Sequence, residues 1–202
     1  MVMARGSSPT PHRSPGTRRR LTAQDWAAAA LTAMGEGGGL AAVSVEALAT
    51  RLGATKGSFY WHFANRDTLI QAALERWERL DTEAVIDSLE AEPDPEKRLR
   101  SLLLRATDAA AEDPLELSLL ANAAHPAVAA VLGRVTERRI GYVTGLFREL
   151  GFSGTEAERR GLLSYSAFLG HAQLGHSVPR SLPAGAARDR YLDAVIDTML
   201  KR

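Results

Sequence analysis

The chain has no cysteine. That excludes disulfide cross-links, thiolate metal centres and thiol redox chemistry, and it agrees with a reducing, cytoplasmic setting. Long apolar runs are missing as well. The longest candidate, the alanine-rich stretch from Trp26 to Met34, is far shorter than the roughly 20 residues a membrane-spanning helix needs. A soluble protein with no membrane partner is expected. Acidic residues are absent from residues 1–20, MVMARGSSPTPHRSPGTRRR, which carry Arg5, Arg13, Arg18, Arg19 and Arg20. Since all 202 residues together carry only +1, the rest of the chain is net acidic. Pro9, Pro11 and Pro15 stand where a secretory signal needs an apolar run, so residues 1–20 read as a disordered basic arm. Such an arm is either idle and solvated or laid against DNA phosphates, where each arginine contact releases counterions.

Strand patterning is the next absence. From Leu21 onward apolar residues recur at spacings of three and four, and no stretch sustains the alternation of a strand, so the fold class is all-α. A first helix opens on Thr22 and Asp25, the spacing of a capping box, and runs to Met34, where Gly35 and the run Gly37, Gly38, Gly39 break it. With no strand before that run and no GK[ST] after it, the glycines do not make a phosphate loop. A second helix follows the N-cap Ser44 and presents Val45, Leu48, Ala49 and Leu52 on one side until Gly53 stops it. Thr55 then caps a third helix almost at once, and so short a glycine turn predicts a steep crossing of the helix-turn-helix kind.

Aromatic residues make up only 6% of the chain, yet Phe59, Tyr60, Trp61 and Phe63 fall within five positions. At about 100° per residue, Phe59 and Phe63 share a core-facing side while Gly57 and Trp61 point away. The helix therefore offers Lys56, Ser58, Tyr60, Trp61 and His62 outward: a cation, hydroxyls and amphipathic rings, the groups that bond phosphate oxygens and base edges. Gly57 costs a helix about 1 kcal/mol against alanine, and close approach of the backbone to a groove wall would be one use for it. For Trp61 the competing expectation is that it covers a neighbouring domain.

The run VSVEALATRLGATKGSFYWHFANRDTLIQAAL, Val43 to Leu74, resembles the DNA-binding domain of TetR-type transcriptional regulators, with its LG turn, its aromatic-Tyr-x-His-Phe ending and the Asn-basic start of a fourth helix. The resemblance implies that Thr55, Lys56, Ser58, Tyr60 and His62 face double-stranded DNA and that Arg66 reaches a phosphate. Ser44, Gly57 and Trp61 complete the candidate DNA-binding set. It also implies a helix-turn-helix domain over residues 21–66 and a helical effector-binding and dimerisation domain over residues 67–202, joined within a fourth helix that starts at Asn65 and runs through Leu69, Ala73, Trp77 and Leu80.

Beyond the proline-containing turn at residues 91–97, proline and glycine breaks delimit five further helices at about 96–111, 115–124, 126–150, 155–176 and 185–200. A pocket for a largely apolar small-molecule effector would draw on Trp77, Leu104, Leu120, His125, Tyr142, Phe147, Tyr165, Phe168 and His171. The small residues of helix 155–176 and the broad apolar face of helix 185–200 suit a four-helix homodimer interface through Tyr165, Leu169, Ala172, Tyr191, Val195 and Met199. His171 and His176 lie about 140° apart around a helix, a poor arrangement for a metal, and no sequence signature calls for a metal, a cofactor or an enzyme's catalytic residues. The expected function is a ligand-responsive DNA-binding regulator, a repressor released by its effector. The alternative is a helical adaptor without DNA binding.

Overall fold

The computed structural model describes residues 20–202; the expectation of an arm therefore falls, apart from Arg20, outside the described residues. Helix α1 (Ala23–Ala33) begins with the expected capping box: the Asp25 carboxylate accepts the Thr22 N–H at 2.7 Å and Thr22 Oγ1 accepts the Asp25 N–H at 3.3 Å. The glycines that follow do not form an open loop. They wind into a wide π turn over Met34–Gly38 and a 3-10 turn over Gly39–Ala42, with Gly37 and Gly39 at φ values of 95° and 51° that favour glycine. Helix α2 (Val45–Arg51) is capped by Ser44, whose hydroxyl accepts the Ala47 N–H at 3.1 Å. Gly53, at φ 60°, makes the turn into α3 (Lys56–Tyr60), which Thr55 caps through the Ser58 N–H at 3.2 Å.

The aromatic phase is as the helical period predicts. Phe59 is fully buried, edge-on to Trp26 at 5.4 Å between ring centres and stacked on Phe63 at 5.7 Å. These rings join Leu48, Val43 and the inward face of α1 in one cluster.

Helix α4 (Arg66–Glu78) starts at Asn65, whose side chain accepts the Thr68 N–H at 2.9 Å. The run passes through Leu80 as expected, in a π turn over Arg79–Glu83 that carries it into α5 (Ala84–Leu89). The five later helices are present as α6 (Pro95–Glu112), α7 (Leu115–Ala121), α8 (Pro126–Glu149), α9 (Gly154–Ser177) and α10 (Ala186–Leu200). Among the described residues there is no strand, and no helix is long and apolar enough to cross a membrane.

Two contacts join the N-terminal helices to the rest. The first is the core itself, in which Trp26, Leu69, Leu74 and Trp77 are continuous with Leu115, Leu119, Val128 and Val135 of α7 and α8. The second is the glycine turn, which seats α7. Ser118 Oγ donates to the Met34 carbonyl at 2.8 Å. A Cβ on Gly39 would stand 2.7 Å from Asn122 Nδ2, and one on Gly35 would stand 3.2 Å from Asp113 Oδ1. A close approach of backbone to α7 is thus what the glycines at 35 and 39 permit. At the other end, Gly161 lets α9 press against α8, since a Cβ there would meet Thr144 Oγ1 at 2.2 Å.

Candidate nucleic-acid interface and internal cavity

Helix α3 presents its outward groups on a short platform whose inner side is locked by Phe59. Tyr60 is 61% exposed and Trp61 is 81% exposed, and the Tyr60 ring stands edge-on to Phe59 at 5.1 Å between ring centres. Lys56 and Gly57 are exposed, while Ser58 and His62 are half-buried. The space over Gly57 is open: its nearest neighbour to an added Cβ is Thr55 Oγ1 at 3.7 Å, an ordinary contact. Nothing inside the protein demands glycine there. The hydroxyls of Ser44 and Thr55 are turned to the helix N-termini they cap.

The cations of this region are already engaged. Lys56 pairs with Glu46, whose carboxyl is held below its usual range by that hydrogen bond. Arg51 forms a two-pronged pair with Glu36 at 2.6 and 2.7 Å, which lowers the Glu36 carboxyl in the same way. Arg66, expected to reach a phosphate, is turned inward instead. Its Nε donates to the Val43 carbonyl at 2.6 Å and its Nη2 to the Leu40 carbonyl, which also accepts the Val43 N–H at 3.2 Å. Its remaining terminal nitrogen lies 3.9 Å from Asp67.

The second feature is a partly open cavity of about 260 Å³ lined by the α4–α5 run and helices α6, α7, α8 and α9. Of the residues expected to line a pocket, Trp77, Tyr142, Tyr165 and Phe168 do line it. Leu104, Phe168 and His171 line a smaller void of about 50 Å³ between α6, α9 and α10. Leu120, His125 and Phe147 line neither: Leu120 packs on the N-terminal core, His125 stands at the start of α8, and Phe147 is fully buried beside Leu99 and Leu146.

The cavity's polar groups were not legible beforehand. Arg139 donates to Glu116 at 2.7 and 2.9 Å, to Thr82 Oγ1 at 2.9 Å and to the Asp81 carbonyl at 3.0 Å, with its guanidinium 5.4 Å from the centre of the Trp77 ring. The Tyr165 hydroxyl lies 3.1 Å from Glu116 and 3.3 Å from Thr136. Burial, then the Glu116 charge, pushes the Tyr165 phenol up, so it stays a hydrogen-bond donor.

Residues 28–73 match the family described as bacterial regulatory proteins, tetR family. The helix-turn-helix segment is thus similar to the domain of that family. The chain as a whole shares its fold with a transcriptional regulator from Rhodococcus sp. Rha1, at 22% identity and a TM-score of 0.70 over 89% of this chain and 94% of that one. It is likewise similar in fold to a TetR-family transcriptional regulator from Streptomyces coelicolor, at 19% identity and a TM-score of 0.69 over 88% and 87% of the two chains. No curated protein matches it in sequence.

In the tetR-type domain the Glu46–Lys56 pair sets up a direct test. Glu46→Gln removes a surface anion beside the outward groups and frees Lys56. We expect duplex affinity to rise by about three- to tenfold and the salt dependence to steepen by about one counterion. Anisotropy titrations of a labelled duplex at several salt concentrations measure both.

The six residues expected at a dimer interface divide by exposure. Tyr165, Ala172 and Met199 are buried within this chain, the first two in the wall of the main cavity and Met199 in the core with Leu99. Val195 and Leu169 are half-buried, and Tyr191 is 40% exposed and stacked against His171. The face of α9 left open is a neighbouring one, carrying Leu162, Leu163, Ser166, Gly170 and Leu174 at helical spacing.

Proposed function

We propose that the protein is a ligand-responsive DNA-binding transcriptional regulator that binds a two-fold symmetric site as a homodimer and is released from it by a largely apolar small molecule. The observation that carries this reading is the pairing of two features in one chain: an α3 helix whose largest rings face outward, and an internal cavity whose walls belong to the elements seating the tetR-type domain. In this reading Lys56, Ser58, Tyr60 and His62 meet DNA, with Gly57 letting the α3 backbone approach the groove wall. The dimer forms through α9 and α10, the exposed Leu162, Leu163 and Leu174 supplying the apolar contact and Ser166 and Gly170 the close approach.

Release follows from what lines the cavity. Trp77, Asp81 and Thr82 belong to the α4–α5 run, and Leu115 and Glu116 to α7, the helix whose Ser118 bonds the glycine turn through the Met34 carbonyl. A ligand that spreads these walls shifts α4 and α7 together and alters the separation of the two α3 helices in the dimer. An activator would differ only in the sign of that coupling. The experiment is selection of bound duplexes from a random pool by the full chain. The expected product is a motif with two-fold symmetry and half-sites about one helical turn apart; enrichment of no motif, or of an asymmetric one, would sink the proposal.

A further inference from the structure

The cavity's lining is mostly apolar, through residues such as Val85, Ile86, Leu103 and Phe168, with a polar group of Asp81, Thr82, Glu116 and Arg139 joined by hydrogen bonds. The charges in that group do not cancel. Arg139 is consumed by Glu116, Thr82 and the Asp81 carbonyl, so its donors are already matched within the protein. The Asp81 carboxylate has no ion-pair partner among the described residues. The charged groups that bear on it are Arg139, Asp113, Glu116 and Arg76. Arg76 spends a donor on Gln24 at 2.9 Å, and Asp113 Oδ1 accepts the Leu115 N–H at 2.8 Å. Asp81 is an exposed residue that also lines the cavity, and partial burial pushes its carboxyl above the usual range against the pull of Arg139. The other cation of the lining, Arg105, is exposed on α6 and bonded to Ser88 Oγ at 3.3 Å.

We infer that the effector is an amphiphilic cation: an apolar, ring-sized body that fills the cavity, bearing an amine that seats against the Asp81 carboxylate. This rests on the reading of the cavity as the effector site and adds its chemistry. A neutral guest would strip water from Asp81 and leave the charge uncompensated, whereas an ammonium group both donates to it and balances it. An anionic guest would add a further like charge beside Asp81, Asp113 and Glu116, whose nearby guanidiniums, Arg139 and Arg76, are already bonded to Glu116 and Gln24. The same amine would lie beside Glu116 and Asp113 on the wall shared with α7, the helix that grips the glycine turn.

The test uses the full chain and three probes with one aromatic body: naphthylmethylamine, naphthylmethanol and naphthoate, with affinities read by calorimetry near neutral pH. The amine is expected to bind at least about tenfold more tightly than the alcohol, and naphthoate most weakly. Asp81→Asn should erase the amine's advantage while leaving the alcohol's affinity within about twofold, which also shows that the variant cavity is intact. In the parent protein the advantage should shrink as pH falls and Asp81 takes up a proton. Equal binding of amine and alcohol, or tightest binding by naphthoate through Arg105, would overturn the cationic assignment and leave the cavity as an effector site. Binding by none of the three would overturn both.

Discussion

Removal of residues 1–19 is expected to weaken binding to every duplex, specific or not, by about 100-fold at about 0.1 M salt, and to flatten the salt dependence by about three to four counterions. The reason lies in what the folded domain has left to offer. Between residues 21 and 66 the cations are Arg51, Lys56 and Arg66, and all three are engaged: by Glu36, by Glu46 and by the carbonyls of Leu40 and Val43. The segment removed holds Arg5, Arg13, Arg18 and Arg19 and no acid. In the proposed reading, most of the neutralisation of the phosphates would therefore fall to the arm, while α3 would supply the contacts that discriminate sequence. Anisotropy titrations of the full and shortened chains, with the preferred duplex and a scrambled one, measure affinity and salt slope together. The ratio between the two duplexes should change little, since arm contacts to phosphate carry no base information. Identical salt slopes for the two chains would show the arm to be a solvated extension. The thermal midpoint should not move, because α1 begins at its own cap on Thr22.

What could be read from the sequence was what depends on residues three or four apart. The caps at Thr22, Ser44, Thr55 and Asn65, the inward phase of Phe59 and Phe63, and the outward phase of Tyr60 and Trp61 all follow from local spacing, and all are present. What could not be read depends on contacts far along the chain. Arg66 is an unremarkable basic residue in the first turn of a helix until the turn holding Leu40 and Val43 is folded against it. The glycines at 35 and 39 are a helix break until α7 arrives to press on them. In the cavity, Trp77, Tyr142, Tyr165 and Phe168 were legible by size, but Asp81, Glu116 and Arg139 look like any solvated charges on a helix. On α9 the small residues fall on more than one side: Gly161 and Ser164 are buried inward while Ser166 and Gly170 are not. Composition alone cannot say which side meets a partner.

The substitution with the largest expected effect on stability is Arg139→Met, which should lower the free energy of unfolding by about 3 kcal/mol. The Arg139 and Glu116 side chains are only 16% and 15% exposed, so water screens their attraction little, and Glu116 without Arg139 is a mostly buried carboxylate left with the Tyr165 hydroxyl. Two further acceptors, Thr82 Oγ1 and the Asp81 carbonyl, lose their donor in the same step. Urea unfolding of the single and double variants separates the charge from the packing. If the cost is the unpaired carboxylate, Arg139→Met combined with Glu116→Leu should recover more than half of it, because the buried pair is then replaced by apolar volume. If the double variant is as unstable as the single one, the guanidinium matters instead through its bonds to Thr82 and Asp81. Either outcome bears on function. Arg139 is the side chain through which α8 holds both the π turn between α4 and α5 and the first turn of α7. Loosening it frees the two elements that seat the tetR-type domain, and DNA affinity in the single variant should respond less to any ligand that fills the cavity.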